Sequence, residues 1–279
     1  MKILALDIGG TEVKYGYFGE TEEYGKFSVK DSDGIERLPE NIIRFIKKFD
    51  VTHIGICAPG PFDYTNGTGY MKHKLESLNG ISLKEEIKKV CPLVETVFIH
   101  DGVAFAMGEV YNNPVLEKEN FSVVMLGTGL GYVHITEGKA EINDSETTLK
   151  PLWNNPYKDG VAEEYVSATA IIRRAKELGY NFSNVLDIAN AVMSGDKILE
   201  KLFYDVGEDM GYLLNEKQKE DKFERLVIGG QVSLSWKLFK EGFEKVCKIP
   251  YYVVEKPATC AVLGIKYCVE KGKENLYQR

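Results

Sequence analysis

Asp7-Ile8-Gly9-Gly10-Thr11 closes one aliphatic run of this sequence, and Gly127-Thr128-Gly129-Leu130-Gly131 closes another. Paired glycines let a backbone turn tightly and bring its N–H groups against phosphate oxygens with no side chain in the way. Thr11 adds a hydroxyl donor. Asp7, at the end of its strand, is placed to hold Mg2+ directly or through water, because Mg2+ prefers carboxylate and phosphate oxygens. Each loop taken alone reads as well as a plain hairpin, with the glycines as its turn and Asp7 as a local acceptor. Two such loops, each after an apolar strand and in corresponding positions of two halves, point instead to a pair that clamps the phosphates of one nucleotide.

A third turn, Leu226-Val227-Ile228-Gly229-Gly230-Gln231-Val232-Ser233, is a strand, two glycines and a helix start. It leaves room for a flat ring or a ribose against the backbone, and Ser233 is a candidate cap for the helix. Asp101, in Ile99-His100-Asp101-Gly102-Val103-Ala104, follows a strand and precedes a helix. It suits a helix N-cap. It also suits a base that accepts the proton of a hydroxyl attacking a γ-phosphate. The company of the glycine loops favours the base, and one residue can do both.

The elements that must position these residues follow from periodicity. Ile3 to Asp7, Val13 to Phe18 and Tyr24 to Val29 read as strands, and Leu38 to Phe49 as a helix with Pro39 near its start. THIGICAPGP is a strand ending in a turn, Ser82 to Val90 a short helix, TVFIHD a strand, and Gly102 to Tyr111 a helix. SVVMLGTGLGYVHITEG then repeats the strand–turn–strand pattern of LALDIGGTEVKYGYFG. Helices are expected over Ala162 to Leu178, Val185 to Met193, Ile198 to Leu214, Ser233 to Val246 and Ala258 to Val269, with RLVIGG and YYVVE as strands. A strand–turn–strand unit that occurs twice suggests a duplicated α/β domain with its site in the crevice between the copies. The polar YNNPVLEKEN marks the boundary, giving lobes 1–112 and 113–279, with the last helix a candidate to pack back onto the first.

The 279 residues exceed one small core and suit two compact domains. A net charge of −7 and a pI near 5.4, with no Lys/Arg cluster, argue against a nucleic-acid partner. No apolar run approaches the ~20 residues of a membrane span, and Asp7 interrupts the N-terminal apolar stretch, so a signal peptide is not expected. Cys57, Cys91, Cys247, Cys260 and Cys268 are scattered and odd in number. That suits reduced, buried thiols in the cytoplasm better than a disulfide framework. The tail KGKENLYQR is polar, partly resembles a protease-tag remnant and is expected to fray.

DIGGTEVK, CAPGPFD, HDGVAFAMGE, VVMLGTGLGY and VIGGQVS stand in the order and spacing of the ROK family of repressors, open reading frames and kinases, and the chain resembles that family from Lys2 to about Val269. The resemblance implies a duplicated actin-like (ribonuclease H-like) ATPase fold, two lobes around a central cleft, ATP with Mg2+, and phosphorylation of a hexose or similar small molecule. A homodimer is the family's common habit. Family repressors carry an additional N-terminal DNA-binding domain; here the first strand starts at Met1–Lys2, and none is expected. Carried over residue by residue, Asp7, Gly9, Gly10 and Thr11 resemble the first phosphate loop. Gly127, Thr128 and Gly129 resemble the second, and Gly229 and Gly230 the nucleoside contact. Asp101 falls on the catalytic base. Glu163 in GVAEEYVS resembles a Glu that contacts sugar hydroxyls, and equally suits a first-turn Glu favoured by the helix dipole.

The chain departs from the family pattern in several places. Glu12 follows GGT where Lys is frequent, with Lys14 on the same face two residues on. No cysteine lies between Cys91 and Cys247, so the family's zinc site is absent and no structural zinc is expected. The Gly-His pair that precedes that cluster is not recognisable in KAEINDSETTLKPL. The family's Asn-Asp pair is His100-Asp101, and a sugar-contacting Asn falls at Lys74, with Asn79 the alternative. Lys74 and His100 beside the acceptor would suit one bearing a carboxylate or phosphate. An enzyme of the sugar-kinase type is therefore expected. The alternatives are a catalytically weak or inactive ligand-binding relative, which the altered sugar pocket favours, and another actin-like ATPase, which CAPGPFD argues against.

Overall fold

The computed structural model describes residues 1–72 and 74–279. The chain forms two compact units, one of Met1–Glu117, Gly138–Leu149 and Thr259–Arg279, the other of Lys118–Glu137 and Lys150–Ala258. A single cut near residue 112 therefore does not describe the division, because two later segments pack within the first unit.

Unit 1 is built on a five-stranded sheet of β1 (Ile3–Ile8), β2 (Glu12–Phe18), β3 (Glu22–Ser28), β4 (His53–Ala58) and β5 (Glu95–His100), in the order β3-β2-β1-β4-β5. The first three strands form an antiparallel meander, and β1, β4 and β5 run parallel. Parallel strands are covered on both faces, which is why ILALDI and HIGICA are nearly continuous apolar runs. Leu4, Leu6, Ile54 and Ile56 meet α1 (Leu38–Ile46) through Leu38 and Ile42, and α2 (Leu83–Val90) through Leu83 and Ile87. On another row, Ala5 pairs with Gly16 on one side and Gly55 on the other. A Cβ on Gly16 would run into Val262, and one on Gly55 into Ile265. This row of small residues seats α8 (Pro257–Lys271), which also meets α3 (Asp101–Asn112) backbone to backbone: Cβ atoms on Gly108 and Gly264 would strike the carbonyls of Cys260 and Ala104.

The tail does not fray. Lys273 donates from Nζ to the carbonyls of Tyr64 (3.0 Å) and Phe98 (3.1 Å) and to Glu146 Oε2 (2.5 Å). Leu276 is buried, and the short strand Tyr277–Gln278 pairs in parallel with Lys139–Glu141. A polar sequence is held here by partners far away in the chain.

Unit 2 repeats the plan with β6 (Phe121–Leu126), β7 (Leu130–Thr136), β8 (Arg225–Gly229) and β9 (Tyr251–Val253) in the order β9-β8-β6-β7. β6 and β7 form the antiparallel hairpin, and β8 and β9 add in parallel beside β6. Its core joins Val124, Leu126 and Ile228 to Phe203, Phe239 and Phe243 of the helices.

Those helices are α4 (Ala168–Glu177), α5 (Val185–Met193), α6 (Lys197–Asp221) and α7 (Trp236–Val246). The helix expected from Ala162 is two pieces, a 3-10 turn Ala162–Glu164 and then α4, because Ser167 is extended (φ −161°, ψ 166°) and caps the Ala170 N–H. Likewise Ser233 sits in a 3-10 turn ahead of α7 and donates from Oγ to the Gly230 carbonyl (2.7 Å) rather than capping the helix. α6 runs seven residues beyond the expected Leu214. Its charged end is buried: Asp221 takes Tyr132 Oη–H at 2.6 Å and Lys150 Nζ at 2.9 Å, with Lys217 Nζ 3.9 Å away. Among the described residues, no helix is long and apolar enough to cross a membrane.

Candidate active site

In unit 1 the sheet register gathers the chemistry at one edge. Asp7 pairs with Cys57, and Ala58 pairs with His100, so the carboxyl ends of β1, β4 and β5 lie side by side. In α/β sheets this edge is where ligands bind. Asp7 is a mostly buried carboxylate with three neighbours. Cys57 donates its thiol to Oδ1 at 3.2 Å, Lys14 Nζ lies 3.6 Å from Oδ2, and the charge of Asp101 reaches it. Burial pushes the Asp7 carboxyl above the usual range, and Lys14 pulls it part of the way back. Burial, followed by the charge of Asp7, pushes the Cys57 thiol well up, so it stays protonated as a donor.

The first glycine turn leads away from Asp7. The Gly9 N–H bonds to the Glu12 carbonyl (3.0 Å), and Gly10 and Thr11 are exposed at the tip. A Cβ on Gly10 would meet nothing within 4 Å, so the space above it is open. Glu12 pairs with Lys26 at 2.8 Å, whereas Lys14 faces Asp7. The cation of this loop is therefore Lys14.

Asp101 is the first residue of α3 and not its N-cap. His100 holds the cap position without a side-chain cap bond, and Asp101 Oδ1 accepts the Gly102 N–H at 2.7 Å. The helix dipole favours its charge there. Lys74 lies in the same unit, exposed, in the segment before the 3-10 turn Glu76–Leu78.

In unit 2 the second glycine turn is braced by α4. Ala168 donates its N–H to the Gly127 carbonyl (2.8 Å), and Thr169 its hydroxyl to the Thr128 carbonyl (2.9 Å). In a trans peptide N–H and C=O point in opposite directions. The N–H groups of Thr128 and Gly129 therefore point away from α4, an arrangement that receives anions. Glu163 lies at the same turn: Oε2 accepts the Leu130 N–H at 2.8 Å, and a Cβ on Gly129 would run into its carboxylate. Gly230 has φ +84°, and a Cβ there would strike the backbone of Leu126, the residue before Gly127. The second and third turns are thus neighbours.

Sequence reasoning missed the roles of Cys57 and Thr169. Cys57 reads as a small core thiol, and its link to Asp7 exists only through the β1–β4 register. Among the described residues, no three His, Cys, Asp or Glu side chains come together in a way that could hold a metal ion. Mg2+ needs no such cluster, since one or two carboxylates plus substrate phosphates suffice, and Asp7 beside an open glycine tip fits that requirement.

Duplicated sheets with paired glycine turns define the actin-like ATPase fold. A ROK family glucokinase from Streptomyces griseus, solved with glucose and AMPPNP, superposes with a TM-score of 0.77 over 98% of this chain and 100% of its own, at 18% identity. The ROK family model matches residues 3–145, and the chain belongs to the ROK family. A beta-glucoside kinase of Klebsiella pneumoniae is 25% identical over 246 residues, 83% of this chain and 82% of the relative. An N-acetyl-D-glucosamine kinase of Vibrio cholerae serotype O1 is 26% identical over 141 residues, 48% of this chain and 46% of the relative.

Proposed function

We propose that the protein is an ATP-dependent kinase that transfers a phosphoryl group to a hydroxyl of a sugar or sugar-like small molecule. The observation that carries this reading is the alignment of Asp7, Cys57 and His100-Asp101 along one strand edge of unit 1, with Lys14 and the open Gly10 tip beside them. The names of the relatives support the reaction class.

Asp101 takes the proton of the acceptor hydroxyl as that oxygen attacks the γ-phosphate. Backbone N–H groups of Gly10 and Thr11, and of Thr128 and Gly129, hold phosphate oxygens, with Gly9 closing the first turn through Glu12 and Lys14 as the point charge. Gly229 and Gly230 take the nucleoside. Asp7 holds Mg2+, which when bound supplies positive charge against the phosphate oxygens. Lys74 and Glu163 are the further acceptor contacts. The reading needs no structural zinc, and elemental analysis of chelator-washed protein should find far less than one zinc per chain. A reduced, cytoplasmic setting suits the five free cysteines.

The test is a coupled ATP-turnover assay with Mg2+ across neutral sugars, amino sugars and polyols, for the wild type and Asp101→Asn. The wild type should phosphorylate at least one acceptor. The variant should lose roughly two to four powers of ten in kcat with ATP affinity little changed. ATP binding without turnover on any acceptor would instead make the protein a non-catalytic binder, and a near-normal Asp101→Asn would remove the base assignment.

A further inference from the structure

His100 carries a feature that the reaction as described leaves unused. Its ring is mostly buried, and Nδ1 is fully buried with no hydrogen-bond partner among the described residues. Nε2 lies 3.5 Å from Asp101 Oδ1. The backbone is extended at φ −64°, ψ 135°. Tyr64 meets the ring edge to face at a centroid distance of 5.9 Å and is itself pinned by its hydroxyl to the Ala58 carbonyl at 3.0 Å. Lys273 ties the backbone on both sides, through the carbonyls of Tyr64 and Phe98. The ring is therefore packed on a pinned Tyr64, at the end of a strand that Lys273 ties down.

A neutral imidazole has one N–H donor and one acceptor nitrogen. Burying an N–H with no acceptor is costly, and among the described residues Nδ1 has none. The proton then belongs on Nε2, the nitrogen that faces a carboxylate. Oδ1 of Asp101 already accepts the Gly102 N–H at 2.7 Å. At 3.5 Å the Nε2–Oδ1 approach is longer than an ordinary hydrogen bond; closing it by a few tenths of an ångström in the substrate complex would put a second donor on the same oxygen, fix the carboxylate plane and leave Oδ2 as its other face.

We infer that His100 is a positioning residue for Asp101: its Nε2–H and the Gly102 N–H hold Oδ1, so that Oδ2 is the atom that takes the acceptor's proton. This rests on Asp101 being the base. It gives His100 a different task from the acceptor contact expected of it, because one ring nitrogen faces Oδ1 and the other is buried.

Amide replacements separate the two ring nitrogens. The amide nitrogen of Gln reaches as far as Nε2, whereas that of Asn reaches only as far as Nδ1. Steady-state kinetics with the acceptor of highest turnover should be compared for wild type, His100→Gln, His100→Asn, His100→Leu and Asp101→Asn, with thermal melts as the folding control. His100→Gln should keep kcat within about three-fold, and His100→Asn and His100→Leu should lose about ten-fold or more in kcat at unchanged ATP KM. If His100→Leu does not fold, the Gln and Asn variants decide. Equal kcat in those two, wild-type kcat in His100→Leu, or a raised acceptor KM with kcat intact would overturn the inference. Loss of turnover in Asp101→Asn together with normal His100 variants sinks this inference alone; near-normal Asp101→Asn sinks the base reading and this with it.

Discussion

Glu163 Oε2 accepts the N–H of Leu130, 33 residues earlier in the chain, at 2.8 Å. The carboxylate and the start of α4 both brace the second glycine turn, the one through the Leu130 N–H and the other through the Gly127 and Thr128 carbonyls. A residue expected to touch the acceptor is thus first a brace for the second glycine turn. Glu163→Ala removes a charge-assisted bond of about 1.5–3 kcal/mol, and we expect ATP to bind about ten-fold more weakly. Glu163→Gln keeps an acceptor oxygen for Leu130 and should leave ATP affinity within about three-fold. Calorimetry with AMPPNP reads both; unchanged affinity in the alanine variant would return Glu163 to the acceptor alone, where its signature is a raised acceptor KM.

Gly10→Val separates binding from folding. No atom lies within 4 Å of a Cβ placed on Gly10, so the melting temperature should stay within a few degrees of wild type. The same Cβ and its branch project where a phosphate would approach, and Mg-ATP affinity should fall at least about ten-fold. A stable variant that binds Mg-ATP normally would mean that this tip does not hold phosphate.

Lys74 brings an exposed point charge with three donors and no acceptor. We expect an acceptor bearing a carboxylate or phosphate to give a higher kcat/KM than glucose, mannose or N-acetyl sugars, and to lose that advantage in Lys74→Met. The idea is wrong if glucose leads and every ratio survives the substitution.

The Asp221 network gives a pH-dependent stability. Burial alone would raise the Asp221 carboxyl, but the Tyr132 hydroxyl and the Lys150 and Lys217 ammonium groups outweigh it and hold it below the usual carboxylate range. A depressed carboxyl stabilises the fold above the unfolded value, near about 4, and that stability is lost as pH falls through the folded value. Asp221→Asn leaves Lys217, with 2% of its side chain exposed, short of its buried partner. We expect a loss of about 3 kcal/mol at neutral pH and a flatter acid limb in urea titrations between about pH 5 and pH 2. A variant as stable as wild type at pH 7 would show that Glu220 alone satisfies Lys217.

By itself the sequence determined the duplicated plan, the three glycine turns and the place of Asp101 at a strand end. These are local features: a run of aliphatics, a glycine pair and a 3.6-residue period are written within about ten neighbouring positions. Tertiary structure alone decided what those features touch. Ala5, Gly16 and Gly55 become the seat of α8 only when register sets them in one row across three strands. Gly230 reaches Leu126, and Glu163 reaches Leu130, across long separations that no periodicity encodes. The polar tail reads as frayed, and the helix of α6 as ending at Leu214, because a lone Lys or Asp is rarely buried. Lys273 and Asp221 are held inside by carbonyls, a carboxylate and ammonium groups that the sequence lists but does not bring together.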